Sequence, residues 1–184
     1  MTIESTKIPD IYVITPDVLG DERGFFMEVF RKDVFKEAGL PNLEFVQQNH
    51  SSSKKGVLRG LHLQWEPGLG KLIRVIKGEA FFAAVDARKN SKTVGKWVSE
   101  TLSSENKKQL FVPEGFASGF CVLSDMAEVE YHYTAHYNPD GETSIKWDDK
   151  DIGIKWPVEN PTISERDQKA ESFANWLSHP YSDI

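Results

Sequence analysis

Short apolar runs broken by turn residues recur through this chain, and a sequence with that rhythm folds as an antiparallel sandwich or barrel. The candidate strands are Ile11 to Thr15, Phe25 to Phe30, Leu43 to Asn49, Val57 to Trp65, Lys71 to Lys77, Ala80 to Asp86, Lys96 to Leu102, Lys108 to Val112, Ala117 to Leu123 and Glu128 to Tyr137. The run Ala80-Phe81-Phe82-Ala83-Ala84-Val85 is apolar on both faces and belongs inside a two-layer structure. Helical signals are few. Asp33 to Ala38 ends at Gly39, and a second helix is expected from about Asp167 to Leu177, behind Ser164 as a cap. At 184 residues the chain suits a single domain spanning 1–184, with length enough to bury a full core.

Charge and composition remove several classes of function. A net charge of −6 argues against nonspecific binding of DNA or RNA, which needs a basic footprint to displace counterions. A small anion is still compatible, because a phosphate feels local charge and Arg23, Arg59, Lys71 and Arg74 could form a positive pocket. The single cysteine, Cys121, can form neither an internal disulfide nor a CxxC metal pair, which points to a reducing compartment. No stretch approaches the ~18 apolar residues of a membrane span, and the amino terminus lacks a signal pattern. The expectation is a soluble, cytoplasmic protein with no membrane or nucleic-acid partner.

The chemistry centres on Val57-Leu58-Arg59-Gly60-Leu61-His62-Leu63-Gln64, followed shortly by Lys71. On a regular strand Leu58, Gly60, His62 and Gln64 share one face, and Arg59 lies on the other. Arg59 and His62 can serve one pocket only if the strand bends or bulges near Gly60. A metal-binding cupin would use paired histidines, a glutamate and a late histidine. Here Gln64 stands where the second histidine would be and Ser118 where the late one would be, so no metal is expected. His132 and His136 are read as surface histidines.

The segments Asp21-Glu22-Arg23-Gly24-Phe25-Phe26, Phe45-Val46-Gln47-Gln48-Asn49-His50-Ser51, Gly56 to His62 and Phe111-Val112-Pro113-Glu114-Gly115-Phe116 together resemble the dTDP-4-dehydrorhamnose 3,5-epimerase family. The likeness continues in order through Ala127-Glu128, Tyr131, Tyr137-Asn138-Pro139, Trp147-Asp148-Asp149 and Ser164-Glu165-Arg166-Asp167. The resemblance implies an all-β fold, a cupin-type double-stranded β-helix or jelly roll with few short helices. It also implies a homodimer with strand exchange, no cofactor, and a nucleotide-diphosphate sugar as substrate.

Epimerising a 4-keto-6-deoxyhexose means removing a proton beside the ketone from one face and returning one to the other, through an enolate. A histidine suits the base near neutral pH, and His62 is the candidate. The family motif gives Asp167 as the carboxylate that orients its ring. Lys71 suits the enolate oxygen. Tyr131 matches the family's acid, and Tyr137 matches a tyrosine that packs on the nucleotide base; with Tyr133 they share parity on the expected strand. The resemblance carries Arg23, Glu28, Gln47, Asn49, Arg59, Glu142 and Arg166 into nucleotide-sugar contacts, with Phe26 as a packing partner. The segment from Arg23 to Glu28 is expected to reach into a neighbour's site.

At two positions the chain departs from the family pattern. Ser118, a candidate substrate contact, stands where histidine is common and bears on sugar or nucleotide preference. His132 replaces a usual lysine and, as the strand neighbour of Tyr131, should point away from it. Alternatives within this reading are a single-carbon epimerase or a keto-sugar isomerase on the same scaffold. A non-catalytic sugar-nucleotide-binding cupin is the alternative of another class.

Overall fold

The computed structural model describes residues 1–40 and 43–184. In chain order the strands and helices are β1 (Thr2–Ser5), β2 (Tyr12–Thr15), β3 (Val18–Asp21), β4 (Gly24–Met27), α1 (Lys32–Glu37), β5 (Gln47–Lys54), β6 (Leu58–Gln64), β7 (Lys71–Lys77) and β8 (Glu79–Asp86). They continue with β9 (Trp97–Ser103), β10 (Gln109–Val112), β11 (Phe116–Val122), β12 (Met126–Tyr133), β13 (Glu142–Ser144), α2 (Glu165–Gln168) and α3 (Phe173–Ser178). A six-stranded sheet ordered β1-β2-β10-β7-β12-β5 faces a five-stranded sheet ordered β13-β6-β11-β8-β9, and β3-β4 form a separate hairpin. All the paired strands are antiparallel, giving the jelly-roll sandwich of the cupin type.

Alternation explains the layers. Ile73, Val75, Val129 and Leu110 from one sheet meet Phe82, Ala84, Phe116 and Phe120 from the other in the central core. The opposite faces are covered too. Leu61, Leu63 and Val85 lie under Phe173 and Trp176 of α3, while Ile14, Leu72 and Phe111 lie under Phe35 of α1. Strand β8 is thus buried on both faces, as its unbroken apolar run requires.

Several expected boundaries move, each for a local reason. The run from Leu43 becomes strand only at Gln47, because Leu43 and Phe45 pack beneath α1 instead of joining a ladder. The polar stretch Gln47–Lys54 then pairs along its whole length with β12. The strand expected from Phe25 to Phe30 stops at Met27, and Phe30 turns edge-on to Phe35 and Phe45, each 4.9 Å away. Strand β12 ends at Tyr133, where the Thr134 N–H donates to the Gly70 carbonyl, so Tyr137 does not share its strand parity. The single helix expected from Asp167 to Leu177 is two short ones, because Glu171 bridges to Ile145 and Ser172 caps a new start. Ser164 does cap α2, accepting the Asp167 N–H.

Candidate active site

The five-stranded sheet carries an irregularity where the site needs one. β11 advances from Ser118 to Phe120 while β6 runs from His62 back to Arg59, so β6 holds one extra residue at Gly60-Leu61. This bulge turns Arg59 and His62 to the same side and sends Leu58 to the other, which corrects the shared face expected for Leu58 and His62. Glycine is required here. Gly60 has φ +128°, and a Cβ on it would stand 2.6 Å from the Gly119 Cα; a Cβ on Gly119 would stand 2.7 Å from the Arg59 carbonyl oxygen.

Between the sheets lies a cavity of about 220 Å³. Arg59, His62 and Ser118 line it from the five-stranded sheet, and Asn49, Ser51, Lys71, Tyr131 and Tyr133 from the six-stranded one. Ile73, Phe82 and Phe120 form its apolar floor.

His62 Nε2 lies 2.7 Å from Oδ1 of Asp167, which is buried at 3% exposure. Burial works against the ionised carboxyl, but bonds from His62, the Ser164 side chain and the Gly60 backbone outweigh it and hold Asp167 below the usual range. With Asp167 ionised, Nε2 is the nitrogen that donates to it, and in the neutral ring the lone pair then lies on Nδ1. Lys71 reaches across the sandwich from β7, donating through Nζ to the His62 carbonyl oxygen at 3.1 Å and to Ser118 Oγ at 3.0 Å. Burial lowers its ammonium to about 8, opposed by the carboxylate of Glu142 and reinforced by Arg166. Tyr131 is raised by burial, with a hydrogen bond from Ser51 and the charge of Arg59 pulling the other way.

Four expected contacts form the rim. Arg166 pairs with Glu142 at 2.7 Å and donates through Nε to Ser144 Oγ, and Ser144 stands opposite His62 in the β13-β6 register. Gln47 Oε1 accepts the Tyr137 N–H at 2.9 Å. Tyr137 is 46% exposed, its hydroxyl raised by burial and by Glu142. His132 does point away from Tyr131 and is half-buried, its ring centroid 5.6 Å from that of Phe45, whereas His136 is exposed as expected.

Three expected contacts lie elsewhere. Arg23 and Phe26 sit on the β3-β4 hairpin, and Glu28 just beyond it; none lines this chain's cavity. Arg23 pairs with Asp21, Glu28 lies 3.6 Å from Arg31, and Phe26 is 71% exposed. Tyr133, expected on the same side as Tyr131, does line the cavity; sequence reading missed Ser51 and Phe120 in the lining, and Ser53, whose Oγ accepts Arg59 Nε at 3.0 Å. The two serines continue the alternation begun by Gln47 and Asn49, a signal hidden by the polar composition of β5.

Comparison with known proteins identifies the family and the fold. The family model for dTDP-4-dehydrorhamnose 3,5-epimerase matches residues 5–175. A Shigella flexneri dTDP-4-dehydrorhamnose 3,5-epimerase is 54% identical over 176 residues, covering 95% of this chain and 97% of that protein. The crystal structure of dTDP-6-deoxy-D-glucose-3,5-epimerase from Legionella pneumophila, in complex with dTDP-4-keto-L-rhamnose, superposes with a TM-score of 0.91 at 45% identity, covering 94% of this chain and 93% of that one. A 3'-monoepimerase from Streptomyces bikiniensis in complex with dTDP-quinovose gives 0.87 at 31% identity, covering 92% and 87%. The chain belongs to the dTDP-4-dehydrorhamnose 3,5-epimerase family, and is an isomerase by that membership.

Proposed function

We propose that this protein is a cofactor-independent epimerase of a dTDP-linked 4-keto-6-deoxyhexose, inverting C3 and C5 in deoxysugar and polysaccharide biosynthesis. The observation that carries the reading is the pairing of His62 with buried Asp167 on one wall of a cavity whose other wall holds Tyr131, with Lys71 in between.

In this mechanism His62 Nδ1 takes the proton from the carbon beside the ketone, and Asp167 stabilises the imidazolium through Nε2. Charge moves onto the ketone oxygen. The Lys71 ammonium holds that oxygen where little water competes, so the enolate is stabilised more than the ketone was. Tyr131 then gives its proton to the carbon from the opposite face, which inverts the centre. A second cycle at the other flanking carbon uses the same groups once protons have exchanged with solvent.

The cavity is smaller than the ~300–1,000 Å³ of a site that encloses a whole drug-sized ligand. It suits the sugar, while the nucleotide lies along the rim. There Arg59 meets the diphosphate, Tyr137 packs on the base, and Gln47, Asn49, Ser118, Glu142 and Arg166 supply hydrogen bonds. In a homodimer with exchanged strands, the β3-β4 hairpin would bring Arg23, Phe26 and Glu28 to the neighbouring pocket. The exposure of Leu19, Phe25 and Phe26 supports such an interface. One domain over 1–184 and a cytoplasmic setting complete the proposal; no helix among the described residues is long and apolar enough to cross a membrane.

Proton NMR of dTDP-4-keto-6-deoxyglucose in deuterated water tests it. Deuterium at C3 and C5 is the expected result, and no exchange at either carbon would overturn it. Exchange at one carbon would identify the single-carbon epimerase, a reading less favoured by the lower identity to the monoepimerase. His62→Asn should keep dTDP affinity and lose turnover, whereas a non-catalytic binding cupin has no turnover to lose.

A further inference from the structure

Strand β5 turns Gln47, Asn49, Ser51 and Ser53 inward and leaves Gln48, His50, Ser52 and Lys54 exposed. Each inward residue meets a group of the pocket or its rim. Gln47 accepts from the Tyr137 backbone at 2.9 Å, and Asn49, accepting from Gln47 Nε2 at 3.0 Å, lines the pocket with Tyr133. Ser51 Oγ is 3.5 Å from the Tyr131 hydroxyl, and Ser53 Oγ accepts from Arg59 Nε at 3.0 Å. The serines have no part in the mechanism above.

We infer that Ser51 and Ser53 are positioning residues with separate duties: Ser51 steadies the Tyr131 hydroxyl as it gives up its proton, and Ser53 aims the Arg59 guanidinium at the diphosphate. The inference rests on reading Tyr131 as the acid and Arg59 as the phosphate contact.

Tyr131 stands among Phe120, Tyr133 and the apolar floor, a setting that disfavours a phenolate. When its proton passes to the substrate carbon, the phenolate oxygen becomes an acceptor only. The Ser51 hydroxyl, the one bonded partner of that oxygen among the described residues, keeps its own proton and can turn it toward the new charge. A length of 3.5 Å is long for two neutral hydroxyls and fits a contact that tightens as charge develops. Ser53 is 7% exposed and therefore a fixed point. By taking Nε it leaves both terminal nitrogens of Arg59, at the mouth of the cavity, as a fork for phosphate oxygens.

Two alanine variants separate these duties. Ser51→Ala should lower kcat by about tenfold or more at unchanged dTDP affinity, the loss expected for one hydrogen bond to a charged group. Ser51→Thr should recover most of it, and Ser51→Cys, similar in size but a poor donor, should not. Ser53→Ala should weaken dTDP binding by about tenfold while kcat at saturation stays within about twofold. Wild-type kcat in Ser51→Ala or Ser51→Cys would overturn the first duty, and wild-type dTDP affinity in Ser53→Ala the second. Equal damage to both constants in both variants would reduce β5 to a structural strand. Tyr131→Phe separates the failures: if it still inverts the sugar, the acid assignment falls; if it is inactive while Ser51→Ala is normal, only this inference falls.

Discussion

The two walls of the pocket deliver their reacting groups by different means. Tyr131 stands on a strand in unbroken register with β5, and simple alternation faces it inward. His62 depends on a bulge, on two apposed glycines, and on a carboxylate 105 residues further along the chain. The base wall is therefore the one that small changes should break, and the acid wall should tolerate them.

The largest effect is expected where the base wall meets the substrate. His62→Asn and Asp167→Asn should each lower turnover by about 10²- to 10⁴-fold, the first by removing the base and the second by releasing its tautomer. Steady-state kinetics with intact dTDP binding checks both, and near-normal turnover in Asp167→Asn would dissolve the pair.

Gly60→Ala comes next. Its Cβ has no room beside Gly119 and its backbone sits at positive φ, so a loss of about 1–3 kcal/mol in denaturant unfolding is expected, with a loss of activity. Unchanged stability would mean that the bulge is not held by this contact.

Lys71 links the walls and should leave two opposite pH signatures. As pH rises through about 8 the ammonium is lost, and kcat/KM should fall about tenfold for the next unit. Folding stability should rise between about 8 and the ordinary value of 10.5, because over that window the unfolded chain binds the proton that the folded one has released. Asp167 acts at the other end of the scale. Its depressed carboxyl contributes stability above its ordinary value of 3.8, and that contribution is lost as pH falls through the folded value. Activity and unfolding measured over one pH series read all of these together.

The smallest effect belongs to the outer face of the acid wall. His132→Asn alters a side chain that packs on Phe45 away from the cavity, so kcat should stay within about twofold. A tenfold loss would show that the acid wall is less tolerant than its regular register implies.

The same contrast governs what could be read from the residues alone. The bounds of β7 coincide with those expected from alternation, Lys71 to Lys77, although its register with β12 shifts by one residue between Val75 and Lys77. The motif around His62 predicts a bulge near Gly60 as soon as Arg59 and His62 are required in one pocket, and the register has it. Polar strands were harder. Gln47–Lys54 lacks the apolar alternation that marks a half-buried strand, because its inner face meets a wet pocket, so Ser51 and Ser53 stayed hidden. Tyr137 reaches the rim through the turn after Thr134 and a backbone bond to Gln47, which no strand parity encodes. The break at Glu171 likewise depends on a tertiary bridge to Ile145 that helical periodicity cannot reveal.

The central claim is that base and acid stand on opposite walls of one cavity and act on opposite faces of the sugar. Tyr131→Phe, incubated with dTDP-4-keto-6-deoxyglucose in deuterated water and followed by NMR, tests it most directly. With His62 intact, deuterium should still enter beside the ketone with configuration retained, while inversion stops. Inversion at the wild-type rate in this variant would contradict the account.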